Sequence, residues 1–497
     1  MRKQLRLIRR RKKAQGYDDV PTSLIIDGAD IITQPLTSLI NRCLKNSPFP
    51  SAEKCAKIIP IYKSDERSLM DNYRPISVLP VLSKVFERVV HQQLYAYLEQ
   101  NNLLSKRQFG FRNRSSTQHA VTKCSDSIRQ NMDKGLMTGA IYIDLRKAFD
   151  TVDHARLLSK LSIYGIKNEE LKWFEDYLFN RSQFVAFGGV ESLTQIIYCG
   201  VPQGSILGPL LFVLLINDID LHLKRCEIIL YADDTVIYYA DKTCEKIEEQ
   251  LNNDMGQISN WFIQNNLVIN LKRSKTECVL YGTYQRMSRS RPIEIKINGT
   301  TIVQSQVYEY LGVKMDKNLN YAEHLENTLR KASARVKLLS RIRQNINPST
   351  AETIYKMMIL PVMLYCNNVY LNLSITTQQK FERIQNRALR IINGQQSSVK
   401  LPSVNEIRKI NCAREVFKCL NGIAPMAFQN YFTRVSHSKC TRGNNKNIAI
   451  PKIRTEAGKK TFAYQGAIIF NKLSDDLKTE QSLLRFKHNC NNFNFDF

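Results

Sequence analysis

Asp233 and Asp234 stand side by side in Tyr231-Ala232-Asp233-Asp234, between the apolar runs Ile228-Ile229-Leu230 and Val236-Ile237-Tyr238-Tyr239. That pattern predicts a tight strand-to-strand turn carrying two carboxylates. Adjacent carboxylates repel each other, and a divalent cation relieves the repulsion. Oxygen-only ligands favour Mg²⁺, with Mn²⁺ as the alternative. A third carboxylate, Asp144, directly follows the apolar run Ala140-Ile141-Tyr142-Ile143. If both strands belong to one sheet, three carboxylates converge at one edge. Such a trio suits two ions about 4 Å apart and in-line phosphoryl transfer. That chemistry asks a protein mainly for positioning and charge neutralisation. A lone Asp-Asp pair says little, because turns are rich in Asp. Asp150 and Asp153 lie close by but do not follow the apolar strand directly, and are expected to cap or pair locally.

The surrounding pattern predicts the elements that must hold these groups. A basic start is followed by a helix over 31–44, a short strand over 57–62 and an extended segment at Pro75. Apolar residues at helical spacing (Val85, Val89, Leu94, Leu98) predict a helix over 85–101. Further helices are expected over 155–164, 169–179 and 210–216, and a long one over 246–265. A strand pair is expected over 184–187 and 195–199, around Gly188-Gly189. Pro202-Gln203-Gly204-Ser205 breaks the chain. Strands are read at 277–281, 294–297 and 310–313. After Leu325 helical periodicity dominates to Ile392, with basic residues such as Arg335 on the outer faces. The stretch 400–497 is weaker in pattern, and Gly443-Asn444-Asn445 reads as a loop of a small appended unit. The fold class is therefore α+β.

Bulk properties narrow the partners. Lys and Arg number 72 against 45 Asp and Glu, a net charge of +27, and the pI is about 9.6. A balance this basic is the usual footprint of a polyanion partner. Apolar residues make up 43% of the 497, enough for sizeable cores. The twelve cysteines contain no Cys-x-x-Cys pair, so neither a zinc site nor a disulfide framework follows. Reduced thiols in an intracellular compartment are expected. No run of about 20 apolar residues predicts a membrane span. The basic start, Met1 to Lys13, reads as a nuclear address, a nucleic-acid arm or a frayed terminus.

Three blocks occur in order: Tyr142-Ile143-Asp144-Leu145-Arg146-Lys147-Ala148-Phe149-Asp150, Pro202-Gln203-Gly204-Ser205-Ile206-Leu207-Gly208-Pro209 and Tyr231-Ala232-Asp233-Asp234. They resemble motifs A, B and C of reverse transcriptases. Asn72-Tyr73-Arg74-Pro75-Ile76-Ser77 and Gln108-Phe109-Gly110-Phe111-Arg112 resemble finger segments of the non-LTR retrotransposon branch. Leu271-Lys272-Arg273-Ser274-Lys275-Thr276 is similar to motif D, and Tyr310-Leu311-Gly312-Val313 to the primer grip. The tail, with Gln385-Asn386-Arg387-Ala388-Leu389-Arg390-Ile391-Ile392, is similar to jockey- and CR1-type elements. The resemblance spans roughly residues 15 to 480.

It implies a right-hand polymerase with mixed fingers, an antiparallel-sheet palm, a helical thumb and a small C-terminal unit. The parts would be an N-terminal extension over 1–50, fingers and palm over 51–315, thumb over 320–395 and an extension over 396–497. Asp144, Asp233 and Asp234 would be metal ligands. Lys63 and Arg74 would meet the incoming triphosphate, as a point charge and a fork donor. Gln203 and Gly204 would shape the pocket for the nascent pair, and Tyr231 would lie near the primer terminus. Lys275 would be the acid for the leaving pyrophosphate. The Phe149 ring would bar a 2′-hydroxyl and so select deoxynucleotides; a packed core ring is its plain alternative. The implied partners are an RNA template, a DNA primer or target and dNTPs, without a membrane.

Relatives of this kind carry an endonuclease ahead of the polymerase. Only about fifty residues precede the fingers here, too few for such a domain on ordinary domain sizes, so a primer nick made by another protein is expected. No Gly-x-x-x-x-Gly-Lys-Ser/Thr, His-Glu-x-x-His or Gly-x-Ser-x-Gly occurs, so ATPase, zinc-protease and serine-hydrolase readings lack support. The competing expectations are an inactive or co-opted nucleic-acid-binding derivative, an RNA-dependent RNA polymerase and an intron-type maturase. Oligomeric state is not set by the sequence.

Overall fold

The computed structural model describes residues 14–45, 49–394, 401–435, 446–493 and 495. The basic start and the Gly443-Asn444-Asn445 loop lie outside the described residues. Along the chain run strands β1 (Cys55–Tyr62), β2 (Tyr73–Val78), β3 (Met137–Ile143), β4 (Arg181–Phe187), β5 (Val190–Glu191), β6 (Gln195–Ile197), β7 (Glu227–Tyr231) and β8 (Asp234–Asp241). They are followed by β9 (Glu277–Tyr281), β10 (Lys296–Ile297), β11 (Thr300–Thr301), β12 (Val303–Gln304), β13 (Val307–Tyr310) and β14 (Val313–Asp316). Two compact units form, and neither is a continuous piece of chain. One takes Met1–Phe111, Asp144–Leu223 and Gly256–Asn270; the other takes Arg112–Ile143, Lys224–Met255 and Leu271–Phe497.

The first unit is built on a mixed sheet of order β2-β1-β4-β5, with β6 also paired to β4. β1 and β4 are parallel, whereas β2 runs antiparallel to β1. Alternation along β1 turns Ala56 and Ile58 into a core shared with Leu79. The Val81–Gln100 helix presents Val85, Phe86, Leu94 and Leu98 to the interior. The Gly208–Ile216 helix is apolar on every side, and eight of its nine residues are buried. Such a helix belongs inside a core.

The second unit centres on the sheet β12-β9-β3-β8-β7. All seven residues of β3 and all five of β9 are buried, so both faces of the sheet are covered. A Cβ at Gly139, in the middle of β3, would come within 2.5 Å of Ile247 and 2.7 Å of Leu251. Glycine there lets the Cys244–Gln264 helix lie directly on the strand. The chain continues into the Ala322–Ile342 and Ile375–Asn393 helices. Among the described residues no helix is long and apolar enough to cross a membrane.

The α+β expectation agrees with these elements, and three local readings need correction. Residues 310–313 are not a strand. Leu311 at φ 49° and Gly312 at φ 79° form the two-residue turn of the β13–β14 hairpin, a conformation no strand can contain. The partner of β4 across Gly188-Gly189 is Val190–Glu191, while Gln195–Ile197 pairs further back, with Arg181–Gln183. The weak pattern after 400 conceals a 17-residue helix, Val404–Leu420, closed by a capping box of Ser403 and Glu406. Its apolar periodicity is blurred because polar Arg408 is buried too.

Candidate active site

In the second unit β7 and β8 close through the two-residue loop Ala232-Asp233, with Tyr231 opposite Asp234. Ala232 takes φ 54° while buried. A left-handed alanine costs about 1–2 kcal/mol, so the surrounding packing enforces this turn. The loop presents Asp233 and Asp234 half-buried on one hairpin, beside half-buried Tyr231. Burial and then the Asp234 charge push the Tyr231 phenol above its ordinary range. β8 lies antiparallel beside β3, and Ile143 is opposite Thr235. The end of the motif A strand and the start of the motif C strand therefore coincide. Asp144 is the next residue of the chain after Ile143.

Beneath this edge lies a cluster of tyrosines. Tyr142 shares a 2.7 Å hydroxyl hydrogen bond with Tyr281 and stacks on Tyr308, with ring centroids 4.1 Å apart. Tyr310 tilts against the same ring at 5.5 Å. The Tyr308 hydroxyl donates to the Lys275 carbonyl at 3.2 Å. Lys275 follows Ser274, which is at φ 66°, and its amide closes a turn onto Lys272. The Lys275 loop, the β13–β14 hairpin and β3 are thus tied by one set of rings. Sequence periodicity marks these tyrosines only as strand residues.

The first unit holds the remaining candidates. Asn270 grips Asp144 twice: its Nδ2 donates to the carboxylate at 2.7 Å and its amide to the Asp144 carbonyl at 2.8 Å. Leu145 bridges to Ile269, and the Arg146 amide donates to the Val268 carbonyl. The sequence reading missed Asn270. Its one signal is its place directly after the apolar run Leu267-Val268-Ile269, mirroring Asp144 after its own run.

Phe149 is half-buried, stacked on Phe212 at 4.7 Å and edge-on to Phe111 at 6.1 Å. Asp150 pairs not locally but with Gln203, 53 positions along the chain, whose Nε2 donates at 2.9 Å. Burial pushes the Asp150 carboxyl up, against that hydrogen bond and the nearby Lys147 charge. Asp153 caps the His154–Ile163 helix by accepting from the Arg156 amide.

Gly204 sits at φ 138°, and a Cβ there would lie 2.3 Å from the Ser77 carbonyl oxygen. The Ser77 amide donates to the Gln203 carbonyl at 2.8 Å, so this loop is laced to β2. From inside the unit, buried Glu87 accepts from the Tyr177 hydroxyl at 2.9 Å and from the Ile206 amide at 2.5 Å.

Lys63 and Arg74 are both exposed at the β1–β2 hairpin. Arg74 is opposite Ile61, and the Lys63 amide donates to the Asn72 carbonyl. A two-residue step from Ile61 puts Lys63 on the same face as Arg74. An exposed ion pair, Lys147 to Asp71 at 2.8 Å, joins the motif A segment to the end of this hairpin. Pairs this exposed contribute little energy.

Among the described residues no group of three or more His, Cys, Asp or Glu forms a metal-holding cluster. Mg²⁺ does not require one. It usually takes one or two protein carboxylates and completes its shell with water and substrate phosphates.

Residues 61–315 match the family described as reverse transcriptase (RNA-dependent DNA polymerase). The chain is 28% identical over 399 residues to the probable RNA-directed DNA polymerase from transposon BS of Drosophila melanogaster, across 77% of this chain and 43% of that protein. It is 29% identical over 394 residues to the RNA-directed DNA polymerase from mobile element jockey of the same species, across 77% and 42%. The chain thus spans less than half the length of these curated relatives. Among solved structures, an apo telomerase from Candida tropicalis, truncated from its C-terminal domain, superposes with a TM-score of 0.38 at 14% identity, over 58% of this chain and 59% of that one.

Proposed function

The chain belongs to the reverse transcriptase family, and on that premise we propose that it adds deoxynucleotides to a DNA 3′-hydroxyl along an RNA template, as the polymerase part of a non-LTR retrotransposon protein. The observation that carries this reading is the strand register. Ile143, which leads directly into Asp144, is opposite Thr235, and Tyr231 is opposite Asp234, so the strand before Asp144 ends level with the turn that carries Asp233 and Asp234. The donors are carboxylate oxygens only, which fits a hard divalent cation. Mg²⁺, or Mn²⁺ in its place, held by Asp144, Asp233 and Asp234 as two ions would supply charge neutralisation at the reacting phosphate.

The chain's own residues do the rest. Lys63 and Arg74 bind the triphosphate from the finger hairpin. The Phe149 ring, backed by Phe212, fills the space a 2′-hydroxyl would need. Gln203, oriented by Asp150, and Gly204, which brings bare backbone to the surface, shape the floor for the nascent pair. Tyr231 lies by the primer terminus, and Lys275 holds the proton for the departing pyrophosphate. In this reading 51–315 form fingers and palm, 320–395 the thumb and 396–497 an extension. Chromosomal target DNA as primer would place the reaction in the nucleus.

Primer extension on poly(rA)/oligo(dT) with dTTP and Mg²⁺ tests the proposal. Incorporation is expected, falling to background in Asp144→Asn and Asp233→Asn with template affinity nearly unchanged. Phe149→Ala is expected to admit ribonucleotides. A protein that binds RNA yet never incorporates would instead be a co-opted nucleic-acid-binding derivative.

A further inference from the structure

The second unit carries a cavity of about 840 Å³ at the other end of its central sheet. Met137, the first residue of β3, lines it, as do Lys242 just past β8 and Thr283 just past β9. Seven residue steps along β8 lead from Asp234 to Asp241. At about 3.3 Å per residue the cavity lies roughly 23 Å along the strand from the carboxylate hairpin. A nucleotide held at that hairpin cannot reach it.

The cavity's charge is strongly one-sided. Lys242, Arg286, Arg289 and Arg291 line it against Asp133 and Glu245. Both acids are already engaged. Asp133 accepts from the Arg454 amide and from the amide and hydroxyl of Thr455, at 2.7–2.9 Å. Glu245 pairs with Arg291 at 2.9 Å, and Glu248 takes the same guanidinium at 2.8 Å. That leaves Lys242, Arg286 and Arg289, all exposed and without an ion pair among the described residues. Tyr284, on the same short helix as Arg286, does not line the cavity itself and is 81% exposed. Exposed cations in a cavity with an open aromatic ring on the adjoining chain are a combination that tracks a single nucleic-acid strand, with phosphates on the cations and a base on the ring.

We propose that this cavity is a second nucleic-acid site, which takes the phosphodiester backbone of a single strand on Lys242, Arg286 and Arg289 and stacks one base on Tyr284. The inference rests on the nucleic-acid reading of the chain, but not on catalysis. A site so placed holds strand remote from the point of synthesis and retains the nucleic acid between additions.

Fluorescence anisotropy of the full chain with 30-nucleotide single-stranded RNA and, separately, DNA tests it. The triple variant Lys242→Glu/Arg286→Glu/Arg289→Glu is expected to bind at least about tenfold more weakly near 50 mM salt, with a salt slope shallower by about 2, roughly 0.7 for each lost phosphate contact. Tyr284→Ala is expected to weaken binding without changing the slope. Loss with both strands, or with RNA or DNA alone, supports the site and identifies its source. Incorporation on a short primer–template duplex should be unchanged in both variants. If the triple variant binds both strands as tightly as the parent, the proposal is overturned, including the case where the cavity serves a protein partner. If the parent never incorporates but the binding loss occurs, the polymerase reading fails and this site stands.

Discussion

Asn270 holds Asp144 by both side chain and backbone, so the direction of that carboxylate is set by a neighbour that carries no charge. In the proposed reading Asp144 is a metal ligand, and groups that orient such a ligand typically matter by about 10–100-fold. Asn270→Leu is therefore expected to lower the incorporation rate constant by about that factor, leaving the template dissociation constant unchanged. Single-turnover kinetics beside a binding titration would check it, and an unaltered rate constant would remove Asn270 from the machinery. Gly204 is a backbone requirement of another kind. At φ 138°, and with Ser77 oxygen 2.3 Å from any Cβ, Gly204→Ala must displace either the loop or β2. A strained backbone costs about 1–3 kcal/mol. The expected outcome is a loss of stability of that order in urea denaturation, accompanied by weaker dNTP binding.

At the scale of elements, the Pro202–Leu207 loop is anchored from within by Glu87 on the Val81–Gln100 helix. Its carboxylate is wholly buried and faces the Arg181 charge, while burial drives its pKa up against that charge and three hydrogen bonds. Glu87→Ala removes the acceptor of the Tyr177 hydroxyl and the Ile206 amide and leaves these donors buried and unpaired. Leaving a buried donor unsatisfied costs about 1–3 kcal/mol. A drop of that size in denaturant titration is expected, and a change below about 1 kcal/mol would mean that the loop is held otherwise. The tyrosine cluster under β3 does for the Lys275 loop what Glu87 does for Gln203. In both cases a packed element, rather than the loop's own sequence, fixes a loop that carries a proposed site residue.

At the scale of the whole chain, distant segments are pinned by single buried carboxylates. Asp126, on the Thr117–Asp133 helix, accepts from the amides of Phe462 and Ala463 at 2.9 and 3.2 Å. Burial pushes its carboxyl up to about 6, although both N–H groups favour the ionised form. An unfolded aspartate titrates near about 4, so between these values the folded chain binds the proton more tightly. The stability contributed by protonated Asp126 is thus full below about pH 4 and declines as pH rises to about 6. The advantage of the parent over Asp126→Asn is expected to shrink across that window by about 3 kcal/mol. Thermal melts of both proteins at matched pH would read it; a constant difference would mean that Asp126 is already ionised throughout.

The sequence by itself determined which residues could do chemistry and which elements bear them. Apolar runs that end at Asp144 and at Tyr231 are local patterns, and a strand's two-residue period is a property of the chain alone. Helical spacing likewise marked the Val81–Gln100 and Cys244–Gln264 helices to within a few residues. Only the tertiary structure decided what those residues face. Asn270 is 126 positions from Asp144, and Gln203 is 53 from Asp150. The basic cavity draws on four separate stretches of chain. Hydrogen bonds and unbalanced charge of this kind arise from packing between segments, and no periodicity within a segment encodes them. The same holds for Leu311: its residue type suits a strand, and the turn it makes with Gly312 is imposed by the pairing of β13 with β14.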